Sequence, residues 1–491
     1  MGSSGLQGIG RTGTRWLVLF HRWLGIVFGL LFAMWFLTGA VMHFVPFPAL
    51  AETERLARSS RVDVSRVAID AAVAIRRIPD ASGVRLVDVL GRPAYIVERL
   101  DAPVTAVGAD TGLPLSMLSP RAAVAIASAF QGTAAATVDG PLPYDQWIVA
   151  QQFDALRPFY RVKFDDRRTT VLYVSARSGE VLQRTTFKER AWNWCGSIPH
   201  WIYFSALRIN WSAWNQVAWW LALAGLLVAS AGAWLGVVRL LAVRRMPRKR
   251  LTPFRGWLGW HHRIGLFCGL FVLTWIFSGW LSMDHGRMFS TGYPSAEQVS
   301  SLRGMSIRAS AEGVSLASIR AVGPASQILI GAIAGRPFLV SQGAALPKLS
   351  WTEPPDIGSS AAIPASLLAA GVQAAWPGYS VAAPQPVRED SLYSLAESMP
   401  PETVMFQVAG RNAINVYVDS ITGRILTVMD QSRRSYAWVF YALHTFKFPG
   451  LSAHPALRRI AILVPLGAGF LFCITGVVIG VSRLRSTLNY R

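Results

Sequence analysis

Cysteine is almost missing from this 491-residue sequence: Cys195, Cys268 and Cys473 are the only three, and they form neither C-x-x-C nor C-x-x-C-H. That argues against a disulfide framework, a thiolate zinc site and covalent attachment of a c-type haem. Charge is also scarce, at 15% of residues against 52% hydrophobic, with a mean hydropathy of +0.34. Such a balance excludes disorder and disfavours a soluble enzyme. The 27 acidic residues are confined to two windows, Glu52 to Glu189 and Asp284 to Asp430. Because the acid-free zones hold the long apolar runs, a proton-coupled transporter relying on buried Asp or Glu is disfavoured. No H-E-x-x-H, Walker or G-x-S-x-G pattern occurs either, so metalloprotease, P-loop and serine-hydrolase chemistry have no support.

What is abundant is apolar sequence in spans of membrane length. Four transmembrane helices are expected at 16–44, 214–241, 258–283 and 457–482. The first reads as a retained signal anchor, because its apolar run exceeds a signal-peptide core and Val41-Met42-His43-Phe44 is a poor cleavage site. Many of the 19 Trp flank these spans, as interfacial aromatic belts do. The formal charge of +21 concentrates where topology needs it. Arg239, Arg244, Arg245, Arg248, Lys249, Arg250 and Arg255 surround the 242–257 connection, which the positive-inside rule makes cytoplasmic. Arg11 and Arg15 in the 1–15 segment, and Arg483, Arg485 and Arg491 in the 483–491 tail, put both termini on that side. Topology thus accounts for the basic charge, and no nucleic-acid partner is expected.

The chain repeats itself. A shift of 240 aligns His21, Gly25, Gly29, Trp35 and Gly39 with His261, Gly265, Gly269, Trp275 and Gly279. A shift of 244 aligns His200, Phe204, Gly232, Gly236 and Arg239 with His444, Phe448, Gly476, Gly480 and Arg483. Two copies of helix, extracytoplasmic region and helix follow, with a pseudo-twofold axis along the membrane normal. The extracytoplasmic regions, 45–186 and 284–436, contain alanine-rich helices followed by strands and Gly turns. Expected helices are Ser65 to Arg77 with Ser65 as N-cap, Pro120 to Phe130 and Pro364 to Ala375. Expected strand-turn units include Val171 to Val174 before Ser178-Gly179-Glu180, and Asn415 to Asp419 before Thr422-Gly423-Arg424. Interfacial segments at 187–213 and 437–456 lead into the second and fourth spans.

The strand and turn Tyr417 to Gly423 resembles the PepSY domain. His21-Arg22-Trp23-Leu24-Gly25, Ile198-Pro199-His200-Trp201, Trp260-His261-His262 through Gly265, Ser278 to Asp284 and Ala442-Leu443-His444 resemble PepSY-associated transmembrane proteins over nearly the whole chain. The resemblance implies an α-helical membrane protein, a parallel tandem repeat of four transmembrane helices with two extracytoplasmic α+β PepSY-like regions. It implies residence in a bacterial inner membrane and, for some members, ferric-siderophore reduction with b-type haems. Other members have no assigned activity, so a non-enzymatic module that binds or inhibits an exported partner, or an accessory factor in siderophore uptake, stays open.

Seven of the eight histidines lie near ends of the spans. A twofold axis brings repeat-equivalent imidazoles to one depth, as bis-His haem ligation requires. The inner pair is His21 with His261, with His262 as the neighbouring alternative; the outer pair is His200 with His444. His43 and His285 form a looser outer pair able to supply a ligand. Two haems b, with iron held by His21, His261, His200 and His444, would then lie one at each face. The connection at 242–257 is too short for a flavin or nicotinamide domain, so quinol or another membrane protein must donate electrons, with ferric siderophore as acceptor.

Overall fold

The computed structural model describes residues 3–245, 251–343, 346–352, 358–387, 399–410 and 412–488. Four of its helices are long and apolar enough to cross a membrane: α1 (Ser3–Phe44), α2 (Trp211–Arg244), α3 (Gly256–Ser282) and α4 (Pro455–Leu488). All outrun the spans expected from hydropathy except α3, which starts two residues early and ends one short. Apolarity marks where lipid ends, whereas a helix ends where capping or a breaker ends it. Asn210, for instance, caps α2 by accepting from the Ala213 N–H at 2.9 Å. Gly8, Gly10 and Gly13 have the spacing of a dinucleotide-binding turn, yet they lie inside α1 with no strand before them among the described residues. Arg248, Lys249, Arg250 and Arg491 of the basic connection and tail fall outside the described residues.

Each spanning helix packs mainly on two others: α1 on α2 and α4, and α3 on the same two. The bundle is therefore a ring with α1 and α3 on one diagonal. Its centre is aromatic, with Phe28, Phe32, Phe36 and Trp275 buried against Val228, Val272 and Ile462. Phe36 of α1 meets Trp275 of α3 edge to face across that diagonal, with ring centres 5.7 Å apart.

Sixteen short strands among the described residues lie on one side of the bundle. In the first half they are β1 (Ala81–Val89), β2 (Arg92–Arg99), β3 (Thr105–Gly108), β4 (Thr137–Leu142), β5 (Phe159–Lys163), β6 (Val171–Ser175) and β7 (Val181–Thr185). In the second half they are β8 (Gln327–Ile333), β9 (Arg336–Gln342), β10 (Lys348–Trp351), β11 (Gly358–Ser360), β12 (Ser380–Val381), β13 (Gln385–Pro386), β14 (Thr403–Ala409), β15 (Ile414–Asp419) and β16 (Ile425–Met429). A four-stranded sheet β4-β5-β6-β7 belongs to the first half and a five-stranded sheet around β14-β15-β16 to the second. The third sheet belongs to both, because the order β11-β10-β9-β8-β1-β2-β3 joins the halves through an antiparallel β1–β8 ladder. That junction ties the 45–186 and 284–436 regions together in one sheet. It buries Val84, Leu86 and Tyr95 against Ile328, Ile330 and Leu339 in one core.

Elements related by the second repeat offset, the one that pairs His200 with His444, correspond in kind. The strands β2 and β9 start at Arg92 and Arg336, and β7 and β16 start at Val181 and Ile425. Helix Pro120–Gln131 has its counterpart in Ala365–Ala375. The hairpins before β2 and β9 both turn on two positive-φ residues, Leu90 with Gly91 and Ala334 with Gly335, the geometry of a twisted two-residue hairpin. Within the ladder joining the halves, Arg85 lies opposite Leu329, its own counterpart at that offset.

Two local expectations are corrected. No helix runs from Ser65 to Arg77: Asp63 accepts from the Ser65 N–H to cap a single 3-10 turn, Val64–Arg66, and a short helix follows at Ala71–Ile75. The backbone between them is diverted by Ala68 and Ile69, whose N–H groups both donate to the Ala109 carbonyl. The 187–213 segment is three short helices, Phe187–Trp194, Ser197–His200 and Ser205–Arg208, rather than one. Gly196, where a Cβ would come within 2.9 Å of Val41, and Ile202, at φ 53°, turn the chain tightly against α1.

Candidate histidine sites of the helix bundle

His200 ends the short helix Ser197–His200, and His444 ends a π-helix at Ala437–His444. Their imidazole centres are 6.4 Å apart. The same three contacts hold each. The Thr38 hydroxyl donates to the Met34 carbonyl at 2.7 Å and so accepts from His200 Nδ1 at 2.9 Å. The Ser278 hydroxyl donates to the Trp275 carbonyl at 3.1 Å and accepts from His444 Nδ1 at 3.1 Å. Indole N–H groups then fix the backbones: Trp35 donates to the His200 carbonyl and Trp275 to the His444 carbonyl, each at 3.1 Å. A Cβ on Gly39 would lie 3.5 Å from His200 Cε1, and one on Gly279 would lie 3.1 Å from His444 Cε1. Burial, joined for His200 by the His444 ring, pushes the imidazoles down to about 3 at His200 and about 4 at His444, against a backbone hydrogen bond that raises each. Both rings are neutral at ordinary pH.

At the other level of the bundle lie His21 on α1 and its repeat equivalent His261 on α3. His21 Nδ1 donates to the Val228 carbonyl of α2 at 3.1 Å. His261 Nδ1 donates to the Thr475 hydroxyl at 2.9 Å, and that hydroxyl passes the bond to the Phe472 carbonyl at 2.6 Å. Val228 and Phe472 are counterparts in the two halves, so the same carbonyl serves both, directly in one and through a hydroxyl in the other. Glycine again makes the room: a Cβ on Gly232 would meet His21 Cε1 at 2.5 Å and one on Gly476 would meet His261 Cε1 at 3.4 Å.

All four imidazoles thus carry their proton on Nδ1, and among the described residues none of the four Nε2 atoms has a hydrogen-bond partner. A metal-ligating histidine is prepared in this way, by an outer partner that sets its tautomer and orientation. Metal–imidazole bonds of about 2 Å on either side of one ion, plus roughly 1 Å from nitrogen to ring centre, put paired centroids about 6 Å apart. The outer pair meets that spacing. Among the described residues no group of three or more His, Cys, Asp or Glu forms a metal site. Two neutral nitrogens fit a metal whose remaining ligands come with it, as in haem.

The remaining histidines are arranged differently. His262 turns Nε2 to the Gly236 carbonyl at 3.2 Å and packs edge-on to Phe254, so its ring faces α2 rather than His21. His285 Nδ1 donates to Asn215 at 2.6 Å and lies against Trp219. His43 lies against Phe44, near Arg458 and Arg459. Among the described residues His43 and His285 make no contact with each other. Trp35 and Trp275 are more than bulky filling, since their indoles anchor the outer histidines. Sequence reasoning passed over Thr38, Ser278 and Thr475; Thr38 and Ser278 are related by the same offset as His21 and His261, already visible in the helices.

The fold and these sites define a multi-pass membrane protein with α+β domains on one side and paired histidines at two levels of its bundle. The chain belongs to the PepSY-associated TM region family, whose model matches residues 18–327. No curated protein matches it.

Proposed function

We propose that this protein is a b-type di-haem carrier of the bacterial inner membrane that passes electrons outward to ferric-siderophore iron in the periplasm. The observation that carries the reading is the pair of imidazoles 6.4 Å apart, each with Nδ1 tethered and Nε2 unengaged. His200 with His444 would hold one haem and His21 with His261 the other. Bound between such pairs, haem b supplies reversible one-electron chemistry. The chain's own part is to hold four imidazoles with Nδ1 tethered and Nε2 unengaged, to surround them with an aromatic centre, and to separate the two levels. His21 and Thr38, the residue that holds His200, are 17 positions apart on α1, about 26 Å at 1.5 Å per residue. Such a separation spans most of a bilayer's apolar core.

The correspondence of elements between the halves supports a tandem repeat, with α1 equivalent to α3 and α2 to α4. The acid-free basic connection supports a cytoplasmic side for both termini and a periplasmic side for the sheets. A reporter active only in the periplasm should then work after residue 300 and fail after residue 248. An aromatic cavity of about 340 Å³, lined in part by Phe47, Trp147, Trp201 and Tyr203, adjoins the residue after His200 and offers a contact surface for a chelate. Quinol or a membrane protein would supply the electrons.

Reduced protein in liposomes tests the function. Addition of ferric siderophore outside should reoxidise it within the mixing experiment, seen as loss of the reduced α-band. Protein that binds haem but stays reduced would exclude the reductase activity. Protein from haem-replete cells with no Soret absorbance would favour a non-enzymatic PepSY module or an accessory uptake role.

A further inference from the structure

Arg208 ends the short helix Ser205–Arg208, two residues before the cap of α2, and it is only 6% exposed. A buried guanidinium ordinarily has a carboxylate or several carbonyls around it. Arg157, on the same region of the molecule, shows the usual case: it donates to Asp154 at 2.7 Å, to the Ile148 carbonyl at 2.8 Å and to the Ala150 carbonyl at 3.1 Å. Arg208 has none of these. Its Nε and Nη1 are buried without a hydrogen-bond partner, and among the described residues the guanidinium has no ion pair. Its contacts are with ring faces, Tyr203 at 5.0 Å and Trp214 at 4.8 Å to the ring centres. These hold the plane of the guanidinium by cation–π attraction and leave its N–H edges unused.

Arg208 is one of the residues lining a cavity of about 430 Å³, together with Tyr144, Asp154, Asn210 and Trp211. Asp154 is the only acid among the lining residues; one of its oxygens accepts from Arg157 Nε at 2.7 Å, and its side chain is half exposed. Ile209 and Trp211, both exposed, flank the cavity at the start of a helix long and apolar enough to cross a membrane, where Trp is favoured. A guanidinium charge with no ion pair among the described residues, stacked on two rings and next to exposed apolar side chains, matches a phosphate oxyanion carried on acyl chains.

We propose that this cavity binds the phosphate of a phospholipid headgroup, with the Arg208 charge as its anchor. The acyl chains run down the exposed face of α2 beside Trp211, and the site takes free phosphate less well because it lacks that apolar contact.

Native mass spectrometry of the full chain in detergent tests this, titrated separately with phosphatidylglycerol, with diacylglycerol, which has the tails without the phosphate, and with inorganic phosphate. Wild type should retain phosphatidylglycerol over diacylglycerol, and Arg208→Gln should retain it about tenfold less, with Arg208→Lys between the two. Asp154→Asn, which removes the nearby negative charge and leaves Arg208 in place, should raise retention and guards against a misfolded Arg208 variant. Equal retention in wild type and Arg208→Gln, or no gain in Asp154→Asn, would overturn the site. Binding of inorganic phosphate without the lipid would overturn the lipid as its source.

Discussion

His200 and His444 are held by a hydroxyl at Nδ1, an indole on the carbonyl and a glycine under the ring, in both halves alike. Glu180 and its positional counterpart in the second half, Arg424, have nothing in common. Glu180 is buried between Arg85, which donates to it at 2.8 Å among its contacts, and Arg55 at 2.9 Å, while Arg85 also reaches Glu98 of its own half and, at 3.4 Å, Gln327 of the other. Arg424 is exposed after its turn. The halves agree where side chains point into the bundle and diverge where the sheets meet. Groups that must meet across a diagonal constrain each other, whereas a sheet junction can be closed by whichever partners one half supplies.

The largest effect should come from breaking the junction on one side. Burial by itself pushes the Glu180 carboxyl up, but the Arg85 charge and hydrogen bond, with Arg55, hold it down at about 2. A carboxyl whose native value lies below its unfolded value contributes stability that is present above about pH 4.3 and is lost as pH falls toward 2. Glu180→Gln leaves Arg85 buried with one fewer counter-charge and should cost about 3–5 kcal/mol at neutral pH, read by thermal or denaturant unfolding. It should also flatten the acid limb of stability between pH 4.3 and 2. Arg424→Gln should stay within about 0.5 kcal/mol of wild type, as exposed positions do. Equal effects of the two would mean that the junction is not carried by Glu180.

The second comparison is between glycines. Gly232→Ala should disturb the His21 ring, which its Cβ would meet at 2.5 Å, and should lower haem retained at the inner level. Gly476→Ala, at 3.4 Å from His261, should lower it less. Gly236→Ala, whose nearest neighbour is Leu266 at 3.8 Å, should leave it unchanged. Haem per chain by reduced pyridine spectra orders the three, and any other order contradicts the cradle.

Smaller still is the hydroxyl that distinguishes the inner pair. Thr475→Val removes the relay from His261 to the Phe472 carbonyl and should lower haem affinity by about tenfold, the lower range for loss of an outer partner. His262→Ala should leave both levels intact, because its Nε2 is bonded to Gly236. Loss of a haem in His262→Ala would reopen the choice between the adjacent histidines.

Much of this arrangement is legible in the sequence, for identifiable reasons. Apolar runs of bilayer length expose the four spans, and sliding the chain along itself pairs His21 with His261 and His200 with His444. The turns at Gly179 and Gly423 are legible because both take positive φ, at 73° and 66°. The choice of His261 over His262 depends on helix rotation, and a one-residue step turns a side chain about 100° around the axis. The ladder between β1 and β8 joins strands from opposite halves of the chain, and no local pattern announces such a pairing. The helix expected at Ser65 to Arg77 fails because Asp63 offers a better cap and Ala109 a distant acceptor, a tertiary override of local propensity. Arg208 reads in sequence as one more interfacial cation; only its unfilled surroundings set it apart.

The haem content of the four histidine variants decides whether these pairs ligate iron or only pack. Wild type should carry two haems b per chain. His21→Ala and His261→Ala should each lose the same one, His200→Ala and His444→Ala should each lose the other, and the two remaining reduced spectra should sum to that of wild type. Two haems retained in His200→Ala, or no haem in wild type from haem-replete cells, would contradict the account.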